Sequence, residues 1–176
     1  MGLTASHRQK ERFAFHITDR DKVASIREGG LKGSNTTNAD TDLIAEALTT
    51  EGYDSPFPFD RTQVVYCHVN PAAVDWARKS STEFANTPAV VVVDLSKVLD
   101  PLYIASMTIA NDFIDHHVAP AGNTATESLD EAVRKYNDSI VQLSDIDSIS
   151  QHRDEFTDHI ELIVDGDVPT EAIVET

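Results

Sequence analysis

The sequence contains very little cysteine and no long apolar run. Its 176 residues include one cysteine, Cys67, which excludes an internal disulfide and a zinc site built from cysteines. No apolar stretch approaches the roughly 18 residues that a membrane helix requires, and the first residues do not resemble a signal peptide. We therefore expect a soluble cytoplasmic protein without a membrane partner.

Basic residues are also scarce. The chain has 14 Lys and Arg against 30 Asp and Glu, which gives a formal net charge of −16. The acids are spread along the chain, so we expect an acidic surface on a folded body, as in proteins of a halophilic organism. Such a charge argues against nucleic acid as a partner, because that binding requires Lys and Arg to neutralise phosphates.

One local basic cluster interrupts this acidic pattern near the start of the chain. Its members are Lys10, Arg12, Arg20, Lys22 and Arg27. We interpret them as the solvated edge of a helix, which is the usual role of such a charge run.

Several common catalytic motifs are missing. The sequence has no glycine-rich dinucleotide loop, Walker motif, His-Glu-x-x-His pair or Gly-x-Ser-x-Gly elbow. His116 and His117 are adjacent and cannot both face one ion on regular structure, and His152 and His159 lie seven positions apart. We interpret all four as surface histidines and expect no metal.

The apolar patterning predicts one α+β domain with a mixed β-sheet and flanking helices over residues 12–176, preceded by a flexible arm at 1–11. The predicted strands are 13–18, 63–69, 89–95, 102–106, 159–164 and 168–174. The predicted helices are 20–28, 41–50, 71–80 and 127–143, with a short one after 106.

Two polar residues stand out within the predicted strands. His16 and Glu161 each lie in a run rich in apolar and β-prone residues, near opposite ends of the chain. Burying either side chain without a partner is costly. Antiparallel strands often alternate polar and apolar faces, so an edge histidine and a solvent-facing glutamate remain an alternative to a functional pair.

Three short segments occur in an order typical of one enzyme superfamily. In chain order they are FHIT at 15–18 with a Gly-Leu turn at 30–31, VYCH at 65–68 with AAVDWA at 72–77, and ELIV at 161–164 with VPTEAI at 168–173. This order resembles the ADP-ribosyltransferase superfamily in its His-Tyr-Glu branch, which includes diphtheria-type toxins and poly-ADP-ribose polymerases. The resemblance implies a split sheet, with NAD as the substrate.

The resemblance also implies roles for individual residues. His16, supported by Thr18, would hold the adenosine-side ribose, and Trp76 would stack on nicotinamide, with Tyr66 as a second stacking candidate. Glu161 would bind the nicotinamide-side ribose and stabilise the oxocarbenium-like transition state. Arg12 or Arg61 is the candidate for a contact to the pyrophosphate of NAD.

The resemblance further implies that the strands of His16 and Glu161 lie side by side at the centre of the sheet, with Trp76 in the same cleft. Trp76 replaces the usual tyrosine. His159 stands where arginine-directed transferases have a second glutamate, so we do not expect an arginine acceptor, and the macromolecular acceptor stays open.

Other functions remain as alternatives. One is a non-catalytic module that binds a nucleotide or a protein on the same fold, and another is a halophilic structural protein with an accidental resemblance. An RNA 2′-phosphotransferase ranks lower because that relative requires arginine-rich motifs, for which this acidic chain offers only Arg12 and Arg61.

Overall fold

A computed structural model describes residues 12–33, 43–69, 88–118, 127–146, 149 and 160–174. The predicted arm at 1–11 and the predicted helix at 71–80, which carries Trp76, lie outside the described residues. His152 and His159 also lie outside them.

The described residues form seven strands and four α-helices. The strands are β1 Phe13–Asp19, β2 Val65–His68, β3 Pro88–Asp94, β4 Leu102–Ser106, β5 Val141–Gln142, β6 Ile160–Val164 and β7 Ile173–Val174. The helices are α1 Val23–Gly29, α2 Leu43–Thr50, α3 Met107–Phe113 and α4 Leu129–Ser139. None of the helices in these ranges is long and apolar enough to cross a membrane.

The strands form one sheet in the order β5-β4-β6-β2-β1-β3-β7. Every pairing between these described strands is antiparallel, so the predicted mixed sheet is wrong. The apolar run that identifies a buried strand, such as the four valines of β3, says nothing about the direction of its neighbour. The α+β arrangement of a sheet with helices agrees with the prediction.

The described sheet consists of two groups of strands, which meet where β1 pairs with β2. β1 pairs with β3 through seven registered positions, and β2 pairs with β6 through four. Between β1 and β2, the described register is a single pair, Phe15 opposite His68. We call this junction the β1–β2 seam. It separates β5-β4-β6-β2 from β1-β3-β7.

Each face of the sheet carries its own apolar core. The first, which we call the α1 face, packs Ile26 of α1 against sheet residues that include Ala14, Cys67, Val91 and Leu162. The second, the α4 face, packs helices α2, α3 and α4 against Ala105 and Ile163. Burial on both sides explains why all five residues of β6 are buried.

Local backbone chemistry sets the ends of the two helices that matter most. α1 ends at Gly29 and is capped by Gly30, which has φ of 76° and sits where a Cβ would overlap the Val168 carbonyl oxygen. α4 begins at Ser128, whose hydroxyl accepts from Glu131 N at 3.2 Å. It ends at Ser139 rather than at the predicted 143, because Ile140 is extended and the next residues pair with β4.

Candidate functional site

His16 lies at the β1–β2 seam and is held there by the neighbouring strand. Its Nδ1 lies 2.8 Å from the carbonyl oxygen of Tyr66. A carbonyl only accepts, so Nδ1 carries the proton and Nε2 is left as an acceptor. Burial lowers the pKa of His16 below its usual range, which outweighs the opposing effect of the Tyr66 hydrogen bond. The imidazole is therefore neutral at neutral pH.

Glu161 lies on β6, inside the core of the α4 face. It is 6 % exposed, and its Oε1 accepts a hydrogen bond from the Tyr136 hydroxyl. That hydroxyl in turn accepts from Arg61, whose Nη1 lies 3.9 Å from Glu161 Oε1. The three side chains thus form a buried charged triad, in which Tyr136 bridges a cation and an anion. Such pairing is what allows two charges to remain in a core.

Two local features place Arg61 in this triad. Asp60 accepts from Thr62 N at 2.9 Å and from Thr62 Oγ1 at 2.7 Å, a turn that directs the residue between them inward. The Arg61 guanidinium then stacks between two tyrosines, with its Cζ 5.1 Å from the Tyr66 ring centre and 5.0 Å from that of Tyr136.

Tyr136 reaches the triad from the inner side of α4. It is fully buried, and the Phe57 ring meets it edge to face at 5.1 Å. Burial, followed by the nearby Glu161 carboxylate, raises the pKa of Tyr136 well above its usual value. The hydroxyl therefore stays protonated and remains a donor to Glu161.

His16 and Glu161 are close in the sheet but leave it on opposite faces. β2 lies between their strands, so the expectation that the two strands are adjacent is wrong. Two strand spacings put their Cα atoms roughly 10 Å apart. Phe15, His68 and Glu161 share one row and hence one face, and His16, one position after Phe15, points to the α1 face.

The remaining predicted residues divide between these locations. Tyr66 lies on the α4 face with Glu161 and Arg61, while Thr18 is buried on the α1 face, two positions after His16. Arg12 lies apart from both and binds Asp94. Trp76 lies outside the described residues. The structure thus groups Glu161, Arg61 and Tyr66, and the Tyr66 carbonyl links this group to His16.

Arg12 makes a bidentate contact with Asp94 and does not face the buried triad. Its Nη2 lies 2.6 Å from Asp94 Oδ2, and its Nε lies 3.1 Å from both carboxylate oxygens. The Asp94 side chain is 2 % exposed and also accepts from Ser96 N and Oγ. The Arg12 guanidinium holds the pKa of Asp94 well below its usual range, with help from Ser96.

Tyr136 was not among the site residues predicted from the sequence. The helical spacing of α4 shows that the ring faces inward, and a buried tyrosine hydroxyl normally finds a partner. That rule predicts a polar neighbour without identifying it. Within the described ranges, no group of three or more His, Cys, Asp or Glu side chains is placed to hold a metal ion.

Comparisons with known proteins give little further information. No family model matches the chain, and no curated protein matches it. Among solved structures, a chain named EcPltA matches with a TM-score of 0.39 and 11 % sequence identity, covering 93 % of this chain and 73 % of its own.

Removing the bridging hydroxyl should destabilise the protein while leaving both buried charges in place. We expect Tyr136→Phe to lower the free energy of unfolding by about 1–3 kcal/mol, because it leaves buried polar groups short of a partner. Tyr53→Phe is the matched control, since the Tyr53 hydroxyl donates to the exposed Asp130, and we expect a change within about 0.5 kcal/mol. Denaturant titration measures both. Equal effects would contradict the bridging role.

Acid should weaken the protein partly through Asp94. A carboxyl whose pKa is lower in the folded protein stabilises the fold at pH values above its pKa in the unfolded chain, which is near 3.8. This stabilisation is lost as the pH falls from there towards the pKa in the folded protein. We therefore expect Asp94→Asn to reduce the loss of unfolding free energy between about pH 4 and pH 2. Asp138→Asn, at an exposed carboxylate next to Arg134, is the matched control for loss of a carboxylate, and we expect it to change the unfolding free energy at neutral pH by no more than about 0.5 kcal/mol. If Asp94→Asn lost as much unfolding free energy between about pH 4 and pH 2 as wild type does, the acid sensitivity could not be attributed to Asp94.

Proposed function

We propose that this chain is an NAD-dependent ADP-ribosyltransferase, acting as an NAD glycohydrolase when water is the acceptor, on an ADP-ribosyltransferase-like fold. One observation carries the proposal: His16, Tyr66 and Glu161 lie on three neighbouring strands, β1, β2 and β6, at the middle of the sheet. The sequence resemblance assigns complementary parts of one reaction to these residues.

The spacing of these residues is compatible with one dinucleotide. Both ends of NAD must reach their residues, so a separation above about 15 Å would exclude the pair. The sheet geometry gives roughly 10 Å between the two Cα atoms. Because the two side chains point to opposite faces of the sheet, one dinucleotide can contact both only if the sheet opens at the β1–β2 seam, where the described register contains one pair.

Each side chain has a definite task in this proposal. Nε2 of His16 accepts from a hydroxyl of the adenosine-side ribose, which the protonated Nδ1 permits. The Glu161 carboxylate accepts from a hydroxyl of the nicotinamide-side ribose and stabilises the positive charge that develops as the bond from ribose to nicotinamide breaks. The acceptor then adds to that ribose carbon and gives up its proton, for which Glu161 is the nearby base.

The triad has a specific consequence for this chemistry. Tyr136 already donates to Glu161 Oε1, so a ribose hydroxyl that binds this carboxylate either adds to that contact or displaces it. Tyr136 and Arg61 keep the carboxylate position fixed before substrate arrives. Tyr66, stacked on Arg61 on the same face, offers an aromatic surface beside that position.

A second candidate is a non-catalytic module that binds a nucleotide or a protein. The burial of Glu161 favours it, because a carboxylate that is 6 % exposed and already bound also fits a purely structural role. The two candidates differ in turnover, since a binding module releases no nicotinamide.

Nicotinamide release from NAD in high-salt buffer tests the proposal. We expect turnover by wild type and a loss of about 10²- to 10³-fold in kcat for Glu161→Gln, because transition-state stabilisation is removed. His16→Gln should mainly raise KM, by about tenfold, since His16 binds the end of NAD that does not react.

Glu171→Gln is the matched control, because Glu171 is exposed on the turn before β7. It should leave both constants unchanged, and thermal unfolding should confirm that every variant is folded. Absence of nicotinamide release by folded wild type would refute the proposed activity, and a thermal shift by NAD without release would favour the binding module.

A further inference from the structure

We propose that Ser139 is a positioning residue for the reaction, because it fixes the direction in which helix α4 presents Tyr136 to Glu161. Ser139 is the last residue of α4 and is 1 % exposed. The inference rests on the proposed function for its effect on turnover, and it adds a residue to which the resemblance gives no part.

The Ser139 hydroxyl makes two hydrogen bonds inside the protein. It accepts from the backbone N of Ser106 at 3.3 Å and donates to the carbonyl oxygen of Tyr136 at 2.7 Å. Ser106 is also 1 % exposed, and its own hydroxyl accepts from Ile109 N at 3.3 Å at the start of α3. Because a buried amide that loses its partner is costly, the Ser139 oxygen stabilises Ser106 at the end of β4.

The register of the sheet explains why a side chain makes this contact. β4 pairs with β5 up to Ile104, which lies opposite Val141, and the same register continued by two residues places Ser106 opposite Ser139. Because Ser139 still belongs to α4, its backbone cannot continue the ladder. The hydroxyl takes the place of a ladder carbonyl at the point where the helix changes into the strand.

Helix α4 is thereby attached to the sheet at two neighbouring points. Tyr136 and Ser139 are three positions apart and hence on the same side of the helix, roughly 4.5 Å apart along its axis. Tyr136 donates to Glu161 of β6, and Ser139 accepts from Ser106 of β4. Glu161 is the register partner of Ala105, the residue before Ser106. The two contacts therefore reach adjacent positions on two paired strands.

Two attachments fix the rotation of a helix about its own axis, which one attachment cannot do. Rotation of α4 moves the Tyr136 hydroxyl across the Glu161 carboxylate, because the ring carries that hydroxyl far from the helix axis. In the proposed reaction, a carboxylate held in one position stabilises the charge of the transition state, and small displacements of such a group slow the reaction strongly. Ser139 therefore acts on turnover through Tyr136 and not by contact with NAD.

The test compares Ser139→Ala with Val168→Ala, which removes buried methyl groups from the core of the α1 face. Tyrosine labelled with carbon-13 at Cζ gives an NMR signal for each of the four tyrosines, and Tyr136→Phe assigns that of Tyr136. We expect Ser139→Ala to shift the Tyr136 signal beyond its linewidth and to lower kcat about tenfold, with KM within about twofold of wild type. Val168→Ala should lower the unfolding temperature but change neither the signal nor kcat.

Ser139→Cys takes the place of Ser139→Ala if that variant does not fold, because a thiol keeps the volume of the side chain but is a weak donor and acceptor. An unmoved Tyr136 signal in the folded Ser139 variant would overturn the proposal, as would an equal shift and an equal loss of kcat in Val168→Ala. If folded wild type releases no nicotinamide, the proposed activity fails. The NMR comparison then still decides whether Ser139 positions Tyr136.

Discussion

The buried triad of Arg61, Tyr136 and Glu161 is the interaction on which the centre of this structure depends. It joins three separate parts of the chain, namely the turn before β2, helix α4 and strand β6. A glutamate on a strand that is buried on both faces is tolerated only because a hydroxyl and a guanidinium satisfy it. The same contacts fix the carboxylate in one position, which is what a group that stabilises transition-state charge requires.

The seam between β1 and β2 is the weakest junction of the described sheet, because one registered pair joins these strands. In the described register, two groups of strands meet through Phe15 and His68, and His16 Nδ1 donates a hydrogen bond to the Tyr66 carbonyl near this junction. The residues to which the resemblance assigns the two ends of NAD thus lie on either side of a discontinuity. The proposed dinucleotide path follows from this arrangement, with one end at His16 and the other at the triad.

The sequence predicted where the strands of the site lie along the chain, but not their order in the sheet or the partners of their side chains. The strands carrying His16 and Glu161 follow from local β-prone runs, and β6 and β4 lie within a residue of their predicted ranges. The position of β2 between them depends on long-range pairing that no local pattern encodes. Likewise, spacing shows that Tyr136 faces inward but does not reveal that Glu161 is its partner, and Arg61 joins the triad because tertiary packing brings a loop against α4. The early end of α4 arises because Val141 and Gln142 pair with a distant strand, which overrides the helical pattern.

Hydrogen exchange of the backbone amides, followed by mass spectrometry with and without saturating NAD, tests the central claim most directly. If NAD crosses the seam, exchange should slow in peptides that cover β1 and β2, which share one registered pair in the described residues. The β4–β5 edge, which lies at the far end of the sheet, should exchange as before. Unchanged exchange on both sides of the seam at saturating NAD would contradict this account of the site.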